Sequence, residues 1–250
     1  MLQKIFKNND DQITGIIQVG ANIGQEIPLI TQYSDNIYLF EPLPKVFNTL
    51  KKNSSGYKNI DIFNFALGQK EEIKKIYIAN QNNSASSSIL KPSLHLDYYP
   101  EIKFNRTEEI AVKRFDSLDS AFDANFLILD VQGYELEVIK GFGNKINDID
   151  FIYTEVSTKE LYENNILIEE LDGELYNLGY LRTNTKFASN KPQGDALYRK
   201  LNSLSSNHKR YYLVKSRFQI TKTYLFLNFI KDFRKIFFLI KKHSKIFINS

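Results

Sequence analysis

The chain has 250 residues, 42% of them hydrophobic, enough for one α/β domain of ordinary size and an extension. It contains no cysteine, which excludes disulfides, thiolate nucleophiles and cysteine-based metal sites, and its three histidines, His95, His208 and His243, lack ligand-like spacing. The net charge of +4 hides a split: from residue 201 onward eleven basic residues accompany the single acid Asp232, whereas the first 200 residues carry 22 basic and 28 acidic ones.

In chain order, Met1 to Asp11 turns polar and charged after a few residues. It holds no apolar segment like a signal peptide, so the chain is expected in the cytoplasm. Gly15 to Val19 reads as a buried parallel strand. The turn after it, Gly20-Ala21-Asn22-Ile23-Gly24, lets a ligand approach the backbone closely. A helix follows over Gln25 to Gln32, with Pro28 in its first turn. The free N–H groups of that helix point at the turn.

A second strand, Ile37 to Phe40, ends in Glu41, 21 residues after Gly20. An acid at that tip can accept both hydroxyls of a ribose. The G-x-G-x-x-G dinucleotide fingerprint is absent, because position 22 is Asn and no third glycine follows. The pocket therefore suits a nucleoside without a pyrophosphate, such as S-adenosylmethionine. The plain alternative is an ordinary strand-to-helix turn followed by an exposed Glu.

Pro42 and Pro44 open the next helix, where proline is tolerated at the first positions. Val46, Phe47 and Leu50 face the sheet from it, and Asn53 to Gly56 ends it. A third strand, Ile60 to Phe65, leads into Ala66-Leu67-Gly68. These spacings fit right-handed crossovers. The rhythm breaks from Lys70 to Lys113. Ile73 to Ala79 and Ile110 to Lys113 read as extra strands, Asn80 to Ser88 as a loop, and Lys91 to Arg106 mixes aromatics, prolines and charge. So long an insertion is more often a functional lid than decoration.

Phe115 to Phe122 reads as a short helix. Phe126 to Asp130 is apolar until its tip, as a central strand should be. A helix from Gly133-Tyr134 is capped near Gly141 and Gly143. A fifth strand, Phe151 to Val156, carries Glu155, and a helix over Ile168 to Leu178 is closed by Gly179. Tyr180 to Thr183 and Asp195 to Arg199 read as the last strands.

Ligands of open parallel sheets bind beyond the carboxyl ends of the strands, at the switch point. The first and fourth strands flank that crevice, so Asp130 is the leading acid. It is placed to hold a cofactor amino group, to act as a base or to help bind a cation; the competing role is a helix N-cap. Glu155 reads as a base or orienter facing the substrate, or as a solvated strand-end acid. His95 in the insertion is a further base candidate, because imidazole titrates near neutrality, or else a structural residue. Ser84 and Ser86 to Ser88 either bond a ligand carboxylate or form a polar linker. No Gly-x-Ser-x-Gly elbow and no P-loop is present.

These segments together resemble a known family. They are Val19-Gly20-Ala21-Asn22-Ile23-Gly24, Phe40-Glu41-Pro42, Asn64-Phe65-Ala66-Leu67-Gly68, Ser86-Ser87-Ser88, Asp130-Val131-Gln132-Gly133-Tyr134-Glu135, Thr154-Glu155-Val156 and Gly194-Asp195-Ala196-Leu197-Tyr198. In order and spacing they are similar to the FkbM family of S-adenosylmethionine-dependent methyltransferases over residues 13 to 200. The family pattern often has Asp where Gln18 stands and Glu where Gln132 stands, and both changes remove a charge near the pocket while keeping a hydrogen-bonding group.

The resemblance implies an α/β class I (Rossmann-like) methyltransferase fold. Its seven-stranded, mainly parallel sheet would have the order 3-2-1-4-5-7-6, with the last strand antiparallel and a C-terminal helical tail following. It implies that Gly20, Ala21, Asn22 and Gly24 line the methionine end of S-adenosylmethionine, that Glu41 takes the ribose beside Pro42, and that Ala66 sits near adenine. Ser87 and Ser88 belong to the same binding set. Asp130 and Gln132 face the reaction centre. Family members typically methylate hydroxyl oxygens of sugars or natural products, which makes Asp130, Glu155 and His95 the candidate bases. Some sugar O-methyltransferases use a divalent metal held by carboxylates; the sequence allows one without showing it. The acceptor expected is a glycan, a lipid-linked glycan or a small molecule bearing a hydroxyl. Two competing readings are a membrane-docked scaffold with a relic cofactor pocket and an NAD-type Rossmann oxidoreductase.

The division expected is a methyltransferase domain over residues 1–203 and a basic amphipathic helical tail over 204–250. Helical spacing from Phe226 to Lys245 places Phe226, Phe229, Ile230, Phe233, Ile236, Phe237 and Ile240 within an arc of about 120°. Lys231, Arg234, Lys235, Lys241, Lys242 and Lys245 lie on another face. No apolar run approaches the roughly 20 residues that span a bilayer. A basic helix with a Phe/Ile face reads as an interfacial anchor on the anionic inner face of the cytoplasmic membrane. The alternatives are packing on the domain or on a second copy, making an oligomer. Nucleic acid is not an expected partner, because the opposite face is too apolar.

Overall fold

The computed structural model describes residues 1–8 and 13–201. The expected tail therefore lies outside the described residues. The elements are α1 (Leu2–Lys7), β1 (Ile16–Val19), α2 (Ile27–Ile30), β2 (Ile37–Phe40), α3 (Pro44–Ser54), β3 (Ile60–Phe63), β4 (Ala66–Leu67) and β5 (Glu72–Ala79). There follow α4 (His95–Tyr98), β6 (Phe104–Lys113), β7 (Phe126–Leu129), α5 (Glu135–Gly141), β8 (Phe151–Ser157), α6 (Ile168–Asn177), β9 (Tyr180–Phe187) and β10 (Gln193–Lys200).

Seven strands form the main sheet in the order β3-β2-β1-β7-β8-β10-β9. This is the order expected of a class I Rossmann-like methyltransferase fold. β10 runs antiparallel to both of its neighbours, and the pairs from β3 to β8 are parallel. The chain reverses its winding direction between β1 and β7, which opens a crevice at their carboxyl ends.

The pleat of β1 sends Ile17 and Val19 to one face and Ile16 to the other. On the first face they share one core with Val138 and Ile139 of α5 and Leu171 and Leu175 of α6. On the second they meet Ile27 and Ile30 of α2 and Leu50 of α3. β7 is buried on both faces, which is why it reads as one apolar run. Pro44 opens α3 at a position where its missing N–H costs nothing.

The structure adds one element and corrects three local expectations. Leu2, Ile5 and Phe6 form an amphipathic turn, α1, in the few residues before the chain turns polar. A helix this short is marginal alone. Phe6 fixes it by stacking on Tyr33 and packing on Phe126. Residues 115–122 form turns, not a helix. Phe115 and Phe122 are drawn into an aromatic cluster with Phe40, Phe63 and Phe142, so tertiary packing overrides the local pattern. β6 begins at Phe104, and Ala66–Leu67 is itself a strand. β4, β6 and β5 make a second, three-stranded sheet from the insertion. Its Ile76, Ile78, Ile110 and Val112 pack with Leu43 and Val46, at the start of α3, beside the crevice.

Candidate functional site

A cavity of about 790 Å³, its open mouth included, lies at the carboxyl ends of β1, β2 and β7. Gly20 forms its floor turn. Its φ is +83°, and a Cβ there would stand 1.9 Å from the Asp130 carbonyl oxygen, so only glycine fits between the β1 and β7 tips. Asn22 takes φ 48°. Its Oδ1 accepts the Ile23 N–H at 2.8 Å, a local bond that eases this conformation.

Glu41 closes the next wall. It is 5% exposed and lines the cavity. Its two oxygens accept the N–H groups of Asn22 (3.0 Å) and Leu43 (2.8 Å). Burial pushes its pKa up to about 7, with those N–H donors opposing and the charge of Asp130 adding. Each oxygen keeps a second lone pair for a ligand hydroxyl. Pro42, Phe65 and Ala66 add apolar wall.

Asp130 follows β7 and lines the cavity. Desolvation raises its pKa, the Gln132 amide opposes, and the charges of Glu26 and Asp195 add. Gln132, at φ 55°, is buried just outside the cavity. Its Nε2 donates to Asp130 Oδ1 and to Glu155 Oε2, both at 2.8 Å. Its Oε1 accepts the Tyr162 hydroxyl at 2.7 Å. One amide thus gathers two acids from neighbouring strand ends. Glu155 borders a second, smaller cavity of about 340 Å³ together with Glu135 and Tyr162. Desolvation raises the Glu155 pKa well above the ordinary value, and Asp130 and Glu135 add to it.

The insertion covers the site from above. Asn22 Nδ2 donates to the Asn83 carbonyl at 3.0 Å, tying the glycine turn to it. Ser87 Oγ accepts the Ala79 N–H, and Ser88 Oγ donates to the Gln132 carbonyl at 2.7 Å and accepts the Leu90 N–H. Both serines line the cavity, with their hydroxyls engaged by the backbone.

Besides Gln132, which lines neither cavity, three expected residues stand elsewhere. Ala21 is fully buried in the core under the turn. Gly24 lies outside the cavity lining, and a Cβ there would meet Ile27 and Leu50, so it serves helix packing. His95 is 1% exposed, and its ring lies between Tyr99, Phe104 and Tyr162. Its N–H bonds the Leu161 carbonyl, which folds the insertion against the segment after β8. Burial drives its pKa down to about 4, so it is neutral at pH 7. It lines neither cavity. Among the described residues no group of three acids or histidines is arranged to hold a metal ion. Sequence reasoning missed Tyr162, Glu26 and Glu135. Only Glu135 had a signal, as an acid in the first turn of α5.

A family model described as the methyltransferase FkbM domain matches residues 18–182. Among curated proteins, the 2-O-methyltransferase NoeI of Sinorhizobium fredii is 27% identical over 161 residues. That match spans 60% of this chain and 66% of NoeI, just under two thirds of that relative. Among solved structures, the N-methyltransferase NodS of Bradyrhizobium japonicum WM9 superposes with a TM-score of 0.47 at 5% identity, over 80% of this chain and 94% of that one. The magnesium protoporphyrin IX methyltransferase of Synechocystis PCC 6803, with bound S-adenosylmethionine, gives 0.45 at 10% identity, over 80% and 79%.

Proposed function

The chain belongs to the FkbM methyltransferase domain family, and on that premise we propose that it methylates a hydroxyl oxygen of a glycan or lipid-linked glycan. It is an S-adenosylmethionine-dependent methyltransferase. The residues fit that cofactor: the Gly20 turn leaves no room for a Cβ, and Glu41 offers a carboxylate at the β2 tip with lone pairs facing the cavity. Gly20, Asn22, Glu41, Pro42, Ala66 and Asp130 would hold it. When bound, S-adenosylmethionine supplies the methyl group and leaves as its thioether.

The observation that carries the oxygen-acceptor reading is the pair Asp130 and Glu155, held on one amide at the end of the sheet. A neutral hydroxyl is a poor nucleophile. A carboxylate that takes its proton as the carbon–oxygen bond forms contributes roughly 10²- to 10⁴-fold. Asp130, open to the cavity, is placed to do so, and the proton then resides on its carboxyl oxygen until water removes it. The raised pKa of Asp130, about 6, suits it to take up that proton near neutrality. The rest of the rate comes from holding the reactants in line. The printed activity of NoeI, a 2-O-methyltransferase, supports oxygen as the target.

The test is incubation of the purified full chain with methyl-labelled S-adenosylmethionine and a cell-envelope glycan extract. Label in a polar glycan or glycolipid fraction, reduced at least tenfold in Asp130→Asn, is the expected result. Label only in protein or nucleic acid would overturn the acceptor assignment. No transfer to any fraction, with cofactor bound, would favour a scaffold.

A further inference from the structure

Gln132 stands between three oxygen-bearing side chains, and the direction of its amide decides whether they are compatible. On one side lie Asp130 Oδ1 and Glu155 Oε2; on the other lies the Tyr162 hydroxyl. Ionised carboxylates only accept hydrogen bonds, whereas a phenol donates one. With its NH₂ toward the acids and its oxygen toward Tyr162, the amide pairs every group. Turned by half a revolution, it would set its own oxygen against the Asp130 carboxylate, and its NH₂ against a phenol that is already donating.

We propose that Tyr162 is a positioning residue whose hydroxyl locks the Gln132 amide so that one NH₂ serves Asp130 and Glu155 together. This rests on the methyl-transfer reading for its use, though not for its geometry. Tyr162 is 2% exposed, packed on the ring of His95, and its pKa is raised, so it stays a donor. Its other acceptor, the Ser86 carbonyl, is 2.9 Å away, longer than the bond to Gln132. Ser88 fixes the Gln132 backbone from the same loop. The lock therefore joins the insertion to the acids of the site.

The setting explains why such a lock is needed. Asp130 faces the charges of Glu26, from the loop before α2, and Asp195, from β10. Glu155 faces Asp130, Glu135 of α5 and Asp195, with a bond to Gln193 opposing. Glu41, just after β2, and the phenols of Tyr99 and Tyr153 lie nearby, and a cation, Lys191, sits over the Tyr99 ring at 4.2 Å. The amide donors of Gln132 and Gln193 are thus what favours ionised acids here. A Glu at position 132 would add a third negative charge, so Gln132 gives this chain a neutral clasp between its two acids.

The test is a titration of the full chain labelled with ¹³C at the Asp and Glu side-chain carboxyls and read by NMR. Asp130→Asn and Glu155→Gln assign the two coupled steps. Losing a charge-assisted bond should raise both midpoints by about one pH unit in Tyr162→Phe. Gln132→Met should raise them at least as far, and the double variant no further than Gln132→Met alone. Midpoints in Tyr162→Phe within about 0.2 units of the parent's would overturn the proposal, since that is well under the loss of one such bond. So would a double variant shifted by the sum of the two. Thermal melting checks folding. If Tyr162→Phe does not fold, unchanged midpoints in Gln132→Met overturn the proposal and raised ones support it. Calorimetry with S-adenosylmethionine on the same samples keeps the readings apart, because a parent chain that fails to bind it counts against methyl transfer and leaves the titration result standing.

Discussion

Glu135 is 4% exposed, and its Oε1 accepts the Gly133 N–H at 3.1 Å. Burial nevertheless raises its pKa to about 7, as it does for Glu41. An acid raised in the folded state keeps a proton that the unfolded chain has already lost between about pH 4.5 and 7. The native state then binds more protons than the unfolded one, so stability falls as pH rises through that window. Glu135→Gln keeps the acceptor oxygen and removes the charge. It should stabilise the chain by about 2 kcal/mol at pH 8 and have no such effect at pH 4. Urea denaturation at both pH values measures this; an equal effect at both would assign the change to packing instead. At this scale the sequence showed the residues that end strands. Gly20, Glu41 and Asp130 stand next to apolar runs, so their place follows from the sheet. Tyr162 lies 30 residues from Gln132, and nothing local announces their bond.

The helices and strands repeat this division. The order of the main sheet was legible because short apolar runs, glycine turns and right-handed crossovers leave few alternatives. The first half of β6, Phe104 to Glu109, was not legible. It is largely polar and exposed, and it is a strand because β5 pairs with it. Likewise β4 exists only through its partner β6. One close approach ties α5 to the residue that follows β4. Gly141, at the end of α5, faces the Gly68 carbonyl, and a Cβ there would stand 2.2 Å from that oxygen. The backbone cannot yield locally at either end. Gly141→Ala should therefore cost on the order of 2–4 kcal/mol, read as a lower denaturation midpoint with an unchanged slope. A loss under about 0.5 kcal/mol, as at an indifferent surface site, would show that α5 slides freely over β4.

Across the whole molecule, charge separates a mildly acidic region from a strongly basic one after residue 201. We propose that residues 204–250 dock on an anionic membrane surface and that residues 1–203 carry the catalytic domain. Among the described residues no helix is long and apolar enough to cross a membrane. Each Lys or Arg near an anionic surface contributes roughly 1 kcal/mol, and salt screens that attraction. The full chain should co-sediment with anionic vesicles at low salt, release at high salt, and lose binding when ended at Ser203. A full chain that stays in the supernatant as a dimer, beside a monomeric truncation, would instead make the tail an oligomerisation element.

We propose that the cavity between the β1, β2 and β7 tips holds S-adenosylmethionine through Glu41. Calorimetric titration of the full chain and of Glu41→Ala tests it most directly. One S-adenosylmethionine site per chain is expected, weakened roughly 10- to 100-fold in the variant, because the ribose hydroxyls lose a buried hydrogen-bonding partner. Unchanged affinity in Glu41→Ala, or heat from NAD with none from S-adenosylmethionine, would contradict it.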